Sequence, residues 1–330
     1  MLGFWIKSAA VALGCGLSFY SVLATAHPTQ PLGHYADHQT RYIATYFPGR
    51  MSGSPAEFLT AQYLQQQFEQ LGYAAHIQRA DGVARPLAAT SVIADHHGRL
   101  PQQILIITHL DTPQALTAQQ RQNNIGGLAF QGVDNSAASL GLMLELAKRL
   151  AAYPTGYSLR FVALSGTQPP HHGVEDYLTA LSPSERKNTL LVIDIENIIA
   201  GKHLAFLSGT NTVAAVRKQT IGAAKNIAQH HHIPLLTAQL ASHRSRSLTE
   251  FEKLGLPYMR VTASNASKLV TLATAKESAP FKDDAAKDNL LFIDRHYPQR
   301  LAQRSVQLVT ILTPLLRELL LPHQLPITKD

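Results

Sequence analysis

The feature that most constrains this chain is the alternation of short, continuously apolar segments with segments of helical character. Residues 104–108, 159–164 and 190–195 are almost entirely apolar, which is typical of strands that are buried on both faces. Residues 203–207 and 257–262 are two further strand candidates. Because strands and helices that alternate in this way form a sheet covered by helices on both faces, we predict an α/β fold with a mixed, mostly parallel sheet.

Helix signals lie between these segments. Ser54-Pro55-Ala56-Glu57 is a capping box with proline at the first helical position, and the apolar spacing that follows continues to Gly72. A second helix is expected after residues 134–136, and residues 211–229 and 298–321 are also predicted to be helical. No internal repeat or low-complexity linker interrupts the chain, so we expect one domain over residues 27–330.

The N-terminal segment has the pattern of an export signal. Lys7 precedes an apolar run over residues 8–23, and Ala24-Thr25-Ala26 matches the small-x-small rule of signal peptidase. We therefore predict a signal peptide over residues 1–26 and a periplasmic or secreted mature protein. The alternative is a membrane anchor, although the run is short for a bilayer span. Cys15 leaves lipidation open.

Composition excludes some partners and some metal ligands. The net charge is +7, but the basic residues are scattered and lack interleaved aromatic residues, so we expect no nucleic-acid partner. No other apolar stretch is long enough to span a bilayer, so we expect no transmembrane segment in the mature chain. Because Cys15 is the only cysteine, any metal ligands must be His, Asp or Glu.

The polar residues that follow the predicted strands are the candidates for function, because ligands of such sheets bind at the carboxyl ends of the strands. These groups cover residues 109–111, 132–135, 166–168 and 194–197. In these motifs the sequence resembles the zinc-dependent aminopeptidases related to bacterial leucyl aminopeptidase and to the alkaline phosphatase isozyme conversion aminopeptidase. Further matching segments are residues 50–54, 251–257 and 288–294. The resemblance implies a single zinc-exopeptidase-like domain that acts on the N-termini of peptides or proteins.

The resemblance also implies roles for individual residues. His109 matches a zinc ligand, and Asp111 matches the carboxylate that orients it. Asp134 matches the aspartate that bridges two metals. Glu196 stands where the family has an aspartate that completes the first metal site. These positions imply a site that can hold one zinc ion.

Other positions of the family pattern are replaced. Thr167 and Gln168 stand where the family has two glutamates, of which the first is the general base and the second binds the second zinc. The last family ligand is a histidine, but residues 281–284 contain none, so only Asp283 or Asp284 could supply a weak oxygen ligand. We therefore expect one zinc ion at most, or none, and impaired or lost peptidase activity.

Three alternatives remain open at the level of sequence. An active aminopeptidase could use one zinc ion with a base from His171 or His172. Glutaminyl cyclase chemistry ranks lower, because that branch of the fold uses ligands of the second-site type, which are replaced here. A non-catalytic interaction module of the cell envelope is the third. Residues 230–232 are three consecutive histidines. We expect them to lie at the C-terminus of a helix rather than to bind a metal ion.

Overall fold

The computed structural model describes residues 30–79, 89–115, 117–167, 173–240, 246–265, 281, 284–322 and 325, with the side chains of residues 246–248 left out. From Pro31 onward the chain forms one compact unit. The predicted signal peptide lies outside the described residues.

The described strands form one sheet of eight strands in the order β1-β2-β4-β3-β5-β8-β6-β7. Their bounds are β1 Ala74–Arg79, β2 Thr90–His96, β3 Gln103–His109, β4 Ser158–Leu164, β5 Thr189–Ile195, β6 His203–Ser208, β7 Leu235–Gln239 and β8 Tyr258–Ser264. The central strands β4, β3, β5 and β8 are parallel to their neighbours within this group. The pairs β1–β2, β2–β4 and β6–β8 are antiparallel. The predicted mixed sheet is confirmed, and its parallel centre brings several strand ends to one edge.

Helices precede, separate and follow these strands. Their bounds are α1 His34–Tyr46, α2 Pro55–Gln70, α3 Ala118–Asn123, α4 Ala138–Leu150, α5 Gly173–Ala180, α6 Pro183–Asn188, α7 Ala214–Arg217, α8 Ala223–His230, α9 Arg246–Lys253, α10 Leu290–His296 and α11 Arg300–Leu319. A π-turn over Val133–Ala137 leads into α4, and another over Lys218–Gly222 joins α7 to α8.

Hydrophobic cores fill both faces of the sheet. One face carries Ile104, Ile106 and Ile193, which pack with apolar residues of α1, α2, α4 and α11. The other carries Leu105 and Ile107 of β3, which pack with residues of α5 and α9. Neighbouring strand residues therefore point to opposite cores, which explains why these strands are apolar throughout rather than alternating.

The predicted elements agree well with the structure where local signals are strong. Ser54 caps α2 by accepting the backbone N–H of Glu57 at 3.2 Å, and Pro55 is its first residue. The five predicted strands correspond to β3, β4, β5, β6 and β8. Strands β1, β2 and β7 were not predicted. The residues of β1 and β7 are mostly half-buried or exposed and give no apolar run, and the apolar run of β2 is only three residues long, residues 92–94. Among the described residues, no helix combines the length and hydropathy that crossing a membrane requires.

Candidate metal site

Two neighbouring parallel strands carry the candidate ligands to the same edge of the sheet. His109 is the last residue of β3, and Thr108 pairs with Ile195 of β5. Asp194 and Glu196 flank Ile195, so their side chains lie on the same face of the strand. This local geometry places one imidazole beside two carboxylates.

His109, Asp194 and Glu196 form a group in which each residue offers one ligand atom and these atoms lie within 4.8 Å of one another. The Nε2 atom of His109 lies 3.4 Å from the Oε2 atom of Glu196. All three residues are buried, with exposed fractions of 8%, 1% and 8%. Among the described residues, no other group of three or more His, Cys, Asp or Glu side chains brings its ligand atoms this close together.

Arg260 and Tyr258 of β8 complete the surroundings of the two carboxylates. The Nη2 atom of Arg260 donates to Oδ2 of Asp194 at 3.2 Å and lies 2.9 Å from Oε1 of Glu196. The Tyr258 hydroxyl also donates to Oδ2 of Asp194. Burial raises the pKa of Tyr258 well above its usual value, so this phenol stays protonated and remains a donor.

Asp134 lies in a second group of acidic residues, at the start of the π-turn before α4. Its Oδ1 atom accepts the backbone N–H groups of Ile199 and Ala200, at 2.6 Å and 3.2 Å. The carboxylate of Asp288 in turn accepts the N–H groups of Asp134 and Asn135. Burial raises the pKa of both aspartates, and for Asp288 the charge of Asp134 raises it further. Oδ2 of Asp134 is buried and has no hydrogen-bond partner within the described structure.

Arg50 holds the loops around these acids together. Its buried guanidinium donates to the carbonyl oxygens of Phe47 and Leu110 and to the hydroxyl of Ser136. Gly132, which precedes the π-turn, has φ 60°, and an added Cβ there would lie 2.6 Å from Thr112. Glycine is therefore required at this position both for its backbone conformation and for the close approach of Thr112 in the loop that follows β3.

Thr167 faces a carboxylate rather than supplying one. Its backbone N–H donates to Oδ2 of Asp111 at 3.0 Å, and its hydroxyl donates to Oδ1 of Asp111 at 2.5 Å. Nearby, the buried carboxylate of Glu57 accepts the hydroxyl of Ser165 and the N–H groups of Gly53 and Thr90. Burial raises the pKa of Glu57 to about 7. Glu57 thus joins the loop before α2 to the ends of strands β2 and β4.

The remaining sequence-predicted residues lie elsewhere or outside the described structure. Gln168, Lys282, Asp283, His171 and His172 are among the residues that the structure leaves undescribed. Asp284 is half exposed and forms an ion pair with Lys287 at 3.0 Å. The histidines of residues 230–232 are exposed around the C-terminus of α8, as expected.

The donor set fits a zinc ion. One imidazole nitrogen and two carboxylate oxygens are ligands that zinc binds readily, and three protein ligands leave a position open. Nδ1 of His109 and Oδ1 of Asp194 are buried and accept or donate no hydrogen bond within the described structure. A metal ion is one kind of partner that satisfies such buried polar atoms, so these two atoms fit a metal site.

Comparisons with known proteins identify the family of the chain. The family model of "Peptidase family M28" matches residues 91–309, which is more than half of the chain. The chain belongs to peptidase family M28. It is also 39% identical over 340 residues to the alkaline phosphatase isozyme conversion protein of Escherichia coli (strain K12), an alignment that covers 95% of this chain and 98% of the relative.

Solved structures with the same fold include a zinc aminopeptidase and a glutaminyl cyclase. The zinc aminopeptidase BSAP from Bacillus subtilis superposes with a TM-score of 0.66 at 11% identity, over 90% of this chain and 97% of that one. The glutaminyl cyclase of Porphyromonas gingivalis superposes with a TM-score of 0.65 at 15% identity, over 87% and 98% of the two chains. At these low sequence identities, the structural similarity shows that the chains share a fold and no more.

The structure brings together two of the residues that were predicted from sequence as metal ligands, and it places a third candidate beside them. His109 and Glu196 are neighbours, whereas Asp134 is not in the group of three. Asp194 was not predicted as a ligand, although its position two residues before Glu196 on a strand gives the signal that both side chains share a face. No sequence signal links Arg260 to either acid, because the contact depends on which strand lies beside β5.

Proposed function

We propose that this M28 protein binds one zinc ion through His109, Asp194 and Glu196 and engages the N-termini of peptides or proteins with strongly reduced aminopeptidase turnover. The observation that carries the proposal is the combination of a buried three-residue donor set with a threonine at the place of the general base. The likeness to the BSAP zinc aminopeptidase supports the class of substrate.

The residues of the site support zinc binding more strongly than they support peptide hydrolysis. When bound, a zinc ion supplies Lewis acidity to a peptide carbonyl. Peptide hydrolysis also needs a group that accepts the proton of the attacking water and passes it to the leaving amine. The hydroxyl of Thr167 cannot accept a proton near neutral pH, and it donates its own hydrogen to Asp111. Asp111 is therefore engaged with Thr167 in addition to any role in orienting His109.

Asp134 does not belong to the group of three proposed zinc ligands. One of its oxygens is held by two backbone N–H groups, so only Oδ2 remains for an ion. We propose that Asp134 contributes at most this oxygen. Together with the replacement at Gln168, this supports a single ion rather than two.

Restoring the missing base tests the proposal. Zinc content is measured by elemental analysis and activity with aminoacyl-nitroanilides for the wild type, Thr167→Glu and the matched control Thr167→Gln. We expect at most one zinc per chain, little wild-type turnover, and an increase of about 10²-fold in Thr167→Glu, because general-base catalysis contributes about 10²- to 10⁴-fold. The glutamine variant is expected to match the wild type.

Ordinary enzyme turnover in the wild type, at about 10 per second, would overturn the claim of reduced activity if a chelator abolishes it. Zinc content that does not fall in His109→Ala would show that the proposed site is wrong.

We also propose that the protein is exported, on the basis of the signal pattern of residues 1–26. Expression in a bacterial host followed by fractionation and mass analysis tests this. The expected product begins at His27 and lies in the periplasm or medium. An intact N-terminus in the cytoplasmic fraction would contradict export.

A further inference from the structure

We infer that Arg260 is a positioning residue that serves as the built-in counter-charge of the candidate metal site. It holds one oxygen of Asp194 and one of Glu196, so that half of the negative charge of the two acids is compensated without an ion and the site binds zinc more weakly than its ligands alone would. This inference rests on the proposed metal site.

The strand register places Arg260 beside the two acids. Strands β5 and β8 are parallel, and Asp194 pairs directly with Arg260. Their side chains therefore lie on one face of the sheet, next to each other across the strands. Glu196 is on the same face, one step nearer the edge. A single guanidinium nitrogen thus reaches both carboxylates, at 3.2 Å and 2.9 Å.

Burial makes this contact necessary when no ion is bound. The side chains of Asp194 and Arg260 are 1% and 3% exposed, and that of Glu196 is 11% exposed. Two ionised carboxylates buried side by side repel each other and lose their hydration. The guanidinium offsets one of the two charges, because it donates a hydrogen bond to Asp194 and forms an ion pair with Glu196.

Arg260 contacts one oxygen of each carboxylate, and His109 lies near the other oxygen of Glu196. Oε1 of Glu196 contacts Arg260, whereas Oε2 lies 3.4 Å from His109. In Asp194, Oδ2 accepts from both Arg260 and Tyr258, whereas Oδ1 has no hydrogen-bond partner within the described structure. We therefore assign Oδ1 of Asp194 and Oε2 of Glu196 to the ion, and the other oxygen of each carboxylate to Arg260. Arg260 makes both groups one-oxygen ligands and fixes their orientation.

The sign of the effect separates this role from an ordinary structural one. A residue that only stabilises the fold weakens zinc binding when it is removed. Removing Arg260 instead leaves two negative charges to be neutralised by the incoming ion, so zinc affinity rises. A charge change a few ångströms from a divalent ion in a buried site is expected to alter affinity by at least about tenfold.

The experiment compares the full-length wild type with Arg260→Gln and Arg260→Lys. Each protein is stripped of metal with a chelator and titrated with Zn²⁺ against a fluorescent competitor, and its Tm is measured with and without Zn²⁺. Arg160→Gln is the control, because Arg160 is a partly buried arginine of the same sheet that pairs with Asp95 and Glu185.

In Arg260→Gln we expect a Kd for Zn²⁺ at least about tenfold lower than in the wild type, a lower metal-free Tm and a larger rise of Tm with Zn²⁺. Arg260→Lys keeps the charge but loses the planar fork, so its Kd should lie between the two. Arg160→Gln should lose stability while its Kd stays at the wild-type value.

Unchanged or weaker zinc binding in Arg260→Gln overturns the inference while leaving the proposed metal site in place. If that variant does not fold, Arg260→Lys decides by the same sign. If neither the wild type nor any variant binds Zn²⁺, the proposed site and this inference both fail.

Discussion

Glu57 provides a quantitative test of the buried acids beside the site, because its carboxylate is almost fully buried and anchors three segments. Burial raises its pKa from 4.5 to about 7. The folded state therefore prefers the protonated form. The stability that this preference contributes is fully present below pH 4.5 and is lost as the pH rises through about 7.

The perturbation is Glu57→Gln, which has the same size but does not titrate. One pKa unit is worth about 1.4 kcal/mol, so the shift corresponds to a loss of about 3 kcal/mol in the wild type between pH 4.5 and pH 8. The variant does not share this loss. We therefore expect the free energy of unfolding of Glu57→Gln, relative to the wild type, to rise by about 3 kcal/mol over this range.

Urea unfolding followed by circular dichroism at several pH values measures this difference. Glu69→Gln changes an exposed glutamate of the same helix and is the matched control, which is expected to alter stability by less than about 0.5 kcal/mol. A difference between Glu57→Gln and the wild type that stays constant with pH would refute the argument.

Three further predictions concern the framework that supports the site. Glu145→Ala removes a buried carboxylate that accepts two backbone N–H groups at the start of α1, and it should destabilise the protein by about 3 kcal/mol in urea unfolding. Gly141→Ala should cost about 1–3 kcal/mol, because the added Cβ would lie 2.4 Å from Oγ1 of Thr40, where α4 meets α1. Phe161→Ala should lower stability by about 3–5 kcal/mol, because Phe161 is fully buried in the larger core.

Each of these has a control or a contrary outcome. Glu145→Gln keeps the shape and should lose less stability than the alanine variant. Gly222→Ala has no neighbour closer than 3.7 Å and should not destabilise, unlike Gly141→Ala. Equal effects at the two glycines would show that close helix packing is not the cause. A loss below about 1 kcal/mol for Phe161→Ala would mean that the core closes around the gap.

Local signals in the sequence were sufficient for the elements that carry the predicted ligands. The continuous apolar run of β3 ends at His109, and the run of β5 ends just before Glu196, so both residues could be placed at strand ends from sequence. The capping box at Ser54 likewise identified the start of α2. These signals succeed because capping and burial periodicity act within a few residues.

The tertiary structure decided how the strand ends meet. Arg260 reaches Asp194 because β8 lies between β5 and β6, an order that no local pattern specifies. Glu57 looked like an ordinary capping residue, yet the packing of α2 also turns its carboxylate towards Ser165 and Thr90. The sequence by itself therefore determined which residues end the strands. The packing of the two cores sets the order of the strands in the sheet. This order decided which charged side chains became neighbours.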